Sequence, residues 1–231
     1  MNEIIAVHGW GFDSSYWKEW EFFFKTKEWI WKNYDRGYYS NSSTKAEWSQ
    51  SSDKKVVICH SLGFHLIDAF ILSKATDIIL LNCFGMFLPE GKERRAVKIA
   101  LEGMKSKIGT KDEKKMLTKF FKLSASPNIY SKNLISYIDK EISECGRHRL
   151  RTDLNRLIDT KGLPLGLNQN SKILAIYGKK DQIVSNSSSI YLDSLLTSFL
   201  ISKYESWNLD QEGHSHLRCD LTIEIERWLK Y

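Results

Sequence analysis

Ser61 stands where a serine can act as a nucleophile. The segment Val56-Val57-Ile58-Cys59-His60-Ser61-Leu62-Gly63 is an apolar strand that runs into a Ser-x-Gly turn and then into an apolar helical stretch. A tight strand-to-helix turn of this kind lifts the serine hydroxyl above a sheet edge. It also brings neighbouring backbones close, so small residues suit the positions two before and two after the serine. Gly63 meets this, whereas Cys59 stands where glycine is usual. The same residues could form an inert Ser-x-Gly turn, so the chemistry depends on what adjoins the hydroxyl.

A serine hydroxyl is a weak nucleophile and needs an adjacent base. Of the six histidines, His214 and His216 follow the last expected strand and precede the last expected helix. Gly213 precedes His214 and suits a loop that bends back toward the sheet, so His214 is the expected base and His216 the alternative. The base in turn needs an acid to orient it. The apolar run 173–177 is followed by Gly178-Lys179-Lys180-Asp181, which places Asp181 at the end of a strand. The chain order Ser61, Asp181, His214 then matches one established order for such triads. Acyl transfer also requires donors for an oxyanion, and losing one costs roughly 3–4 kcal/mol. The backbone N–H of Leu62 and that of Trp10, in the turn His8-Gly9-Trp10-Gly11, are the expected donors.

The elements that must position these groups alternate between strand and helix. Strands are expected over 4–7, 29–35, 56–59, 78–81, 173–177 and 200–204, with helices over 62–73 and 221–229. The Ser-rich stretch 40–53 reads as a loop with a poorly defined helix. This pattern predicts an α/β fold: a mostly parallel sheet with helices on both faces. Residues 89–164 are rich in Lys and Arg and periodic as helices, so they read as three or four inserted helices forming a cap. The core is then 1–88 with 165–231.

Together, His8-Gly9-Trp10-Gly11, Cys59-His60-Ser61-Leu62-Gly63, Tyr177-Gly178-Lys179-Lys180-Asp181 with Ile183-Val184, and Gly213-His214 resemble the pimeloyl-[acyl-carrier protein] methyl ester esterases of biotin synthesis. That family lies within the α/β-hydrolase superfamily. The triad motifs belong to the whole superfamily; the Trp after the first His-Gly, the chain length and the basic cap point to the family. The resemblance implies the α/β-hydrolase fold, a serine carboxylesterase without cofactor or metal, and a substrate tethered to acyl carrier protein. A general carboxylesterase, a thioesterase, the related lyase of menaquinone synthesis and a non-catalytic binding protein of the same fold stay open as alternatives.

Composition bounds the partners. The chain of 231 residues has a formal charge of +6, which favours an acidic partner. In the cap, Leu150, Leu154, Leu157 and Ile158 form one helical stripe. Arg147 and Arg151 border it, while Arg149 and Arg156 point away and can each pair with Asp153. These four arginines, with Lys92, Arg94, Arg95 and Lys98, are the expected docking surface for a carrier protein. No nucleic-acid module is recognisable. The four cysteines lack metal-ligand spacing and read as free thiols. No apolar run approaches the length of a membrane span, and the opening residues are expected to enter a strand rather than form a secretory signal. The expectation is a cytoplasmic monomer.

Overall fold

Short runs dominated by Ile, Val and Leu set the central strands, and their burial on both faces explains why those runs are apolar. A computed structural model of the chain describes residues 1–50, 52–127, 136–215 and 218–230. Its strands are β1 (Asn2–Val7), β2 (Ile30–Tyr34), β3 (Lys54–His60), β4 (Asp77–Leu81), β5 (Lys172–Gly178) and β6 (Tyr204–Leu209). They form one sheet in the order β2-β1-β3-β4-β5-β6, and every pair is parallel.

The two-residue side-chain period divides this sheet between two cores. Ile5, Val7, Val57, Cys59, Ile78, Leu80, Ile173 and Ala175 face one core. Ile4, Ala6, Val56, Ile58, Ile79, Leu81, Leu174 and Ile176 face the other, where Trp17, Trp20, Trp29 and Trp31 pack with Ile225 and Trp228. Helix α1 (Lys18–Thr26) and the C-terminal helix cover this second face. On the first face lie α2 (Gly63–Leu66), α3 (Ala69–Lys74) and the inserted helices α4 (Glu93–Lys107), α5 (Glu113–Ala125) and α6 (Glu144–Asp159). After β5 come α7 (Asn186–Phe199) and α8 (Cys219–Lys230). The stems of the insertion meet at an antiparallel bridge, Met86 with Lys161, and at a bond from the Gly162 N–H to the Gly85 carbonyl, 2.7 Å.

Strand order reverses between β1 and β3, so the loops leaving these strands diverge and open a crevice at the sheet's C-terminal edge. Both the 8–12 turn and the Ser61 turn sit there.

Three expectations need correction. The helix after Ser61 is two helices, because Ile67 and Asp68 are extended and the Asp68 carboxylate caps α3 by accepting the Phe70 N–H. The last strand runs Tyr204–Leu209 rather than 200–204: it is an edge strand with half-exposed positions, and its apolar signal is weak. The stretch 40–53 contains no helix among its described residues; a bridge between Asp35 and Thr44 helps to hold it, as do bonds from the Ser49 N–H and the Ser52 hydroxyl to the Glu3 carboxylate. No helix among the described residues is long and apolar enough to cross a membrane.

Candidate active site

Ser61 occupies the β3–α2 turn at φ +52°, a left-handed conformation that costs a non-glycine residue roughly 1–2 kcal/mol. Its N–H donates to the Leu81 carbonyl at the end of β4, 2.9 Å away, which pins the turn. Gly63 is required by close approach, since a Cβ there would stand 2.5 Å from the Val7 carbonyl oxygen. On the other side, a Cβ on Gly9 would stand 2.8 Å from His60 Nδ1. The turn after β1 therefore packs tightly against the serine turn. Cys59 is fully buried, and its carbonyl accepts the Cys83 thiol at 3.3 Å. A thiol thus fits the position where glycine was expected.

The turn after β5 and the loop after β6 supply the other two groups. His214 Nδ1 donates to Asp181 Oδ2 at 2.7 Å, with both side chains almost entirely buried. The other Asp181 oxygen accepts the N–H groups of Ile183 (2.7 Å) and Val184 (2.9 Å), which fix the carboxylate plane. The histidine loop can come this close because Gly178 and Gly213 carry no Cβ. One added at Gly178 would meet the Gly213 carbonyl at 2.4 Å, and one at Gly213 would meet the Ser126 carbonyl at 1.7 Å. Beyond His214, the Ser215 N–H and hydroxyl both donate to the Ser124 carbonyl, at 3.0 and 2.8 Å. The end of α5 thereby fastens the loop to the cap. The alternative base, His216, lies outside the described residues.

Trp10 and Leu62 are both buried, and Trp10 lines the same cavity as Ser61. His8 Nδ1 lies 2.9 Å from the Gly9 carbonyl oxygen, and because that oxygen can only accept, Nδ1 carries a proton and donates. The Gly9 carbonyl and the Trp10 N–H share one planar peptide, so His8 sets the direction of that N–H. The Trp10 indole donates to the Leu150 carbonyl of α6, 3.0 Å away.

Ser61 and His214 line one cavity of about 220 Å³ between the sheet edge and the cap. Its remaining wall is apolar and includes Phe87, Leu101, Met104, Phe120, Leu154 and Ile183. No Asp, Glu, Lys or Arg among the described residues lines it; Gln182 is the one amide side chain.

His60 underlies the site. Burial holds its ring well below the usual histidine pKa, and the neighbouring His214 adds to this. Its Nε2 donates to the His214 carbonyl at 2.9 Å, and Tyr16 stacks on it at 4.7 Å. His65 is likewise lowered, to about 4, by burial. Unfolded, both rings titrate near 6.5. Below that pH the unfolded chain binds protons that the folded chain refuses. The stability present above pH 6.5 is therefore lost as the pH falls, by up to about 1.4 kcal/mol per unit and ring. Urea midpoints followed from about pH 7.5 to about pH 5 are expected to fall over this window, less steeply in His65→Gln. Identical slopes for the two proteins would refute the assignment.

The four cap arginines are engaged within the chain. Arg147 makes a two-pronged bond to Glu113 (2.8–3.1 Å), and Arg149 donates to the carbonyls of Gly37, Ser40 and Asn41 (2.6–3.0 Å). Arg151 bonds the Ile108 carbonyl, and Arg156 bonds that of His65 at 2.7 Å. The expected pairing of Asp153 with Arg149 and Arg156 is replaced by another. Asp153 is fully buried and accepts from Arg36 (2.7 and 2.8 Å) and from the Tyr38 hydroxyl (2.8 Å). The reason is position: residue 153 lies three after Leu150 and four before Leu157, so it belongs to the apolar stripe and faces the core.

Two further residues at the site, Asn82 and Gln182, did not stand out in the sequence. Gln182 was visible only as the neighbour of Asp181; its amide donates to the Ser126 hydroxyl at 2.8 Å. Asn82 had one signal, a polar residue closing the apolar strand β4.

No protein-family model and no curated protein sequence matches the chain. Solved structures do match. An esterase from Exiguobacterium antarcticum superposes with TM-score 0.67 at 17% identity, covering 100% of this chain and 92% of that one. A bromoperoxidase from Bacillus anthracis gives 0.68 at 15% identity, covering 100% and 92%. BioG from Haemophilus influenzae gives 0.55 at 12% identity, covering 93% and 89%. With the parallel sheet, the covering helices and the turn at Ser61, these likenesses establish that the chain has the α/β-hydrolase fold.

Proposed function

We propose that the protein is a serine carboxylesterase that works through an acyl-serine intermediate, with Ser61 as nucleophile, His214 as base and Asp181 as the acid that orients it. The observation that carries this reading is the hydrogen bond from His214 to Asp181, with Ser61 and His214 both lining one uncharged cavity. The Asp181 carboxylate holds the Nδ1 proton, which leaves Nε2 to accept the Ser61 proton. Serine Oγ adds to the ester carbonyl, and the oxyanion is received by the N–H groups of Leu62 and Trp10. His214 passes the proton to the departing alcohol. Water, deprotonated by the same imidazole, then releases the acid and regenerates Ser61. No cofactor or metal enters this sequence.

The finer reading is a methyl ester of a pimeloyl chain carried on acyl carrier protein, as the sequence motifs suggest. A neutral methyl ester suits a wall without countercharges, whereas a carboxylate in it is costly. The positive charge of the chain suits an acidic carrier. With Arg147, Arg149, Arg151 and Arg156 bonded internally, the carrier's contacts fall first to Lys92, Arg94, Arg95 and Lys98 on and beside α4. A second reading is a general carboxylesterase, which the same cavity would serve.

Turnover of matched esters tests both levels. Methyl butyrate is expected to exceed monomethyl succinate in kcat/KM by about 10²-fold, the cost of seating an unpaired carboxylate. Methyl pimeloyl-[acyl-carrier protein], followed by mass, is expected to lose its methyl group faster than the free methyl ester. Equal rates on carrier-bound and free esters would overturn the carrier-protein reading and favour the general esterase.

A further inference from the structure

Asn82 follows β4 directly, is nearly buried and has φ +48°. Its side chain makes three bonds. Nδ2 donates to the carbonyls of Gly213 (3.0 Å) and His214 (2.7 Å), and Oδ1 accepts the Gly178 N–H (2.8 Å). Its own N–H donates to the Ile176 carbonyl at 2.9 Å, and the residue before it, Leu81, accepts the Ser61 N–H at 2.9 Å. One short segment at the end of β4 therefore touches the nucleophile turn, the strand that ends before the acid, and the loop carrying the base. The partners leave no choice of amide orientation: two carbonyl oxygens demand the NH₂ end and one N–H demands the oxygen.

We propose that Asn82 is a positioning residue for His214, setting the base's backbone relative to Ser61 and Asp181. This rests on the catalytic reading given above. The His214 carbonyl accepts from both Asn82 and His60, so its peptide is held from β4 and from β3 at once. Asp181 fixes only the imidazole edge, through Nδ1. Drift of the loop that carries the ring is resisted by the two bonds at the carbonyl. Asparagine alone offers what the place needs: two donors, one acceptor, a short reach and tolerance of a left-handed backbone. Aspartate has the same shape, yet it would set acceptor oxygen against acceptor oxygen.

The test is a graded series at one position, with a small neutral ester as substrate. Asn82→Ser keeps one short donor, Asn82→Gly keeps the backbone freedom without a side chain, and Asn82→Asp turns attraction into repulsion. The expected order of kcat per folded molecule is wild type, Ser, Gly, Asp. The Gly variant is expected to fall about 10- to 100-fold and the Asp variant further, with KM within about twofold throughout. Thermal unfolding gives the folded fraction, and a merely structural role would lower the midpoint without splitting kcat from KM. Unchanged kcat per folded molecule in the Ser and Gly variants overturns the proposal. Ser61→Ala serves as the control: wild-type turnover there would instead remove the catalytic reading, whatever Asn82 does.

Discussion

Ser61→Ala is expected to lower kcat on a small neutral ester by about 10⁵- to 10⁶-fold while the chain folds normally. The hydroxyl is the only atom removed, alanine has the same Cβ, and the turn is held by the Ser61 N–H and by Gly63, which the substitution leaves in place. On the proposed mechanism the residual hydrolysis is expected to come from the Leu62 and Trp10 N–H groups and from the cavity, which would still bind and polarise an ester. The same mechanism makes the three groups act as a unit, so Ser61→Ala combined with His214→Ala is expected to be no slower than Ser61→Ala alone. Asp181→Asn is expected to cost about 10⁴-fold, since the amide can favour the wrong imidazole tautomer. Steady-state rates on one ester check all of these, with circular dichroism confirming the fold. A loss below about tenfold for Ser61→Ala would exclude it as the nucleophile.

The second large effect is on stability. Asp153 is fully buried at the junction of α6 with the core, and both its oxygens are used by Arg36 and Tyr38. Burial raises the Tyr38 phenol well above its ordinary pKa, and the adjacent carboxylate adds to this, so Tyr38 remains a donor. Asp153→Ala removes the acceptor and strands the Arg36 guanidinium, at a cost of about 3–5 kcal/mol. The triple variant Asp153→Leu, Arg36→Met, Tyr38→Phe removes the whole polar cluster and is expected to recover most of that loss, because a well-packed apolar cluster needs no desolvation of charge. Urea unfolding measures both. A second consequence separates this from general loosening: Leu154 and Leu157, neighbours of Asp153 on α6, line the cavity. Asp153→Ala is therefore expected to raise KM more than it lowers kcat. An Asp153→Ala protein as stable as wild type would show that the cap is held by its other bonds.

Those other bonds explain why the cap reads differently in sequence and in space. Its helices were legible from their periodicity, but the function of their charges was not. A lysine- and arginine-rich stretch looks like a solvated surface, yet Arg149 spends its guanidinium on three backbone carbonyls of the loop 37–41. Nothing in the spacing of Arg149 signals this, because its partners lie more than a hundred positions away.

The core was more transparent. The central strands β1, β3, β4 and β5 are continuous apolar runs, and burial on both faces leaves them no other composition. Strand β6 is hard to place from sequence because an edge strand alternates, and the apolar Leu200 and Ile201 belong to the turn after α7. The break after Ser61 was written in Asp68, a capping residue, but apolar periodicity ran past it and hid the signal. Ser61, Asp181 and His214 could be picked out because each lies just past a strand and because their chain order is distinctive. Asn82, His60 and the His8–Gly9 bond could not. They act by hydrogen bonds to backbone groups that only the folded sheet brings near, so residue type and spacing do not announce that role, even at Asn82, where a polar residue closes an apolar strand.

The most direct test of the serine mechanism is to treat the protein with a fluorophosphonate and locate the adduct by peptide mass mapping. The account predicts a single adduct on Ser61, absent in Ser61→Ala and formed far more slowly in His214→Ala. Ester hydrolysis by the intact chain with Ser61 left unlabelled, or with the adduct on another side chain, would contradict it.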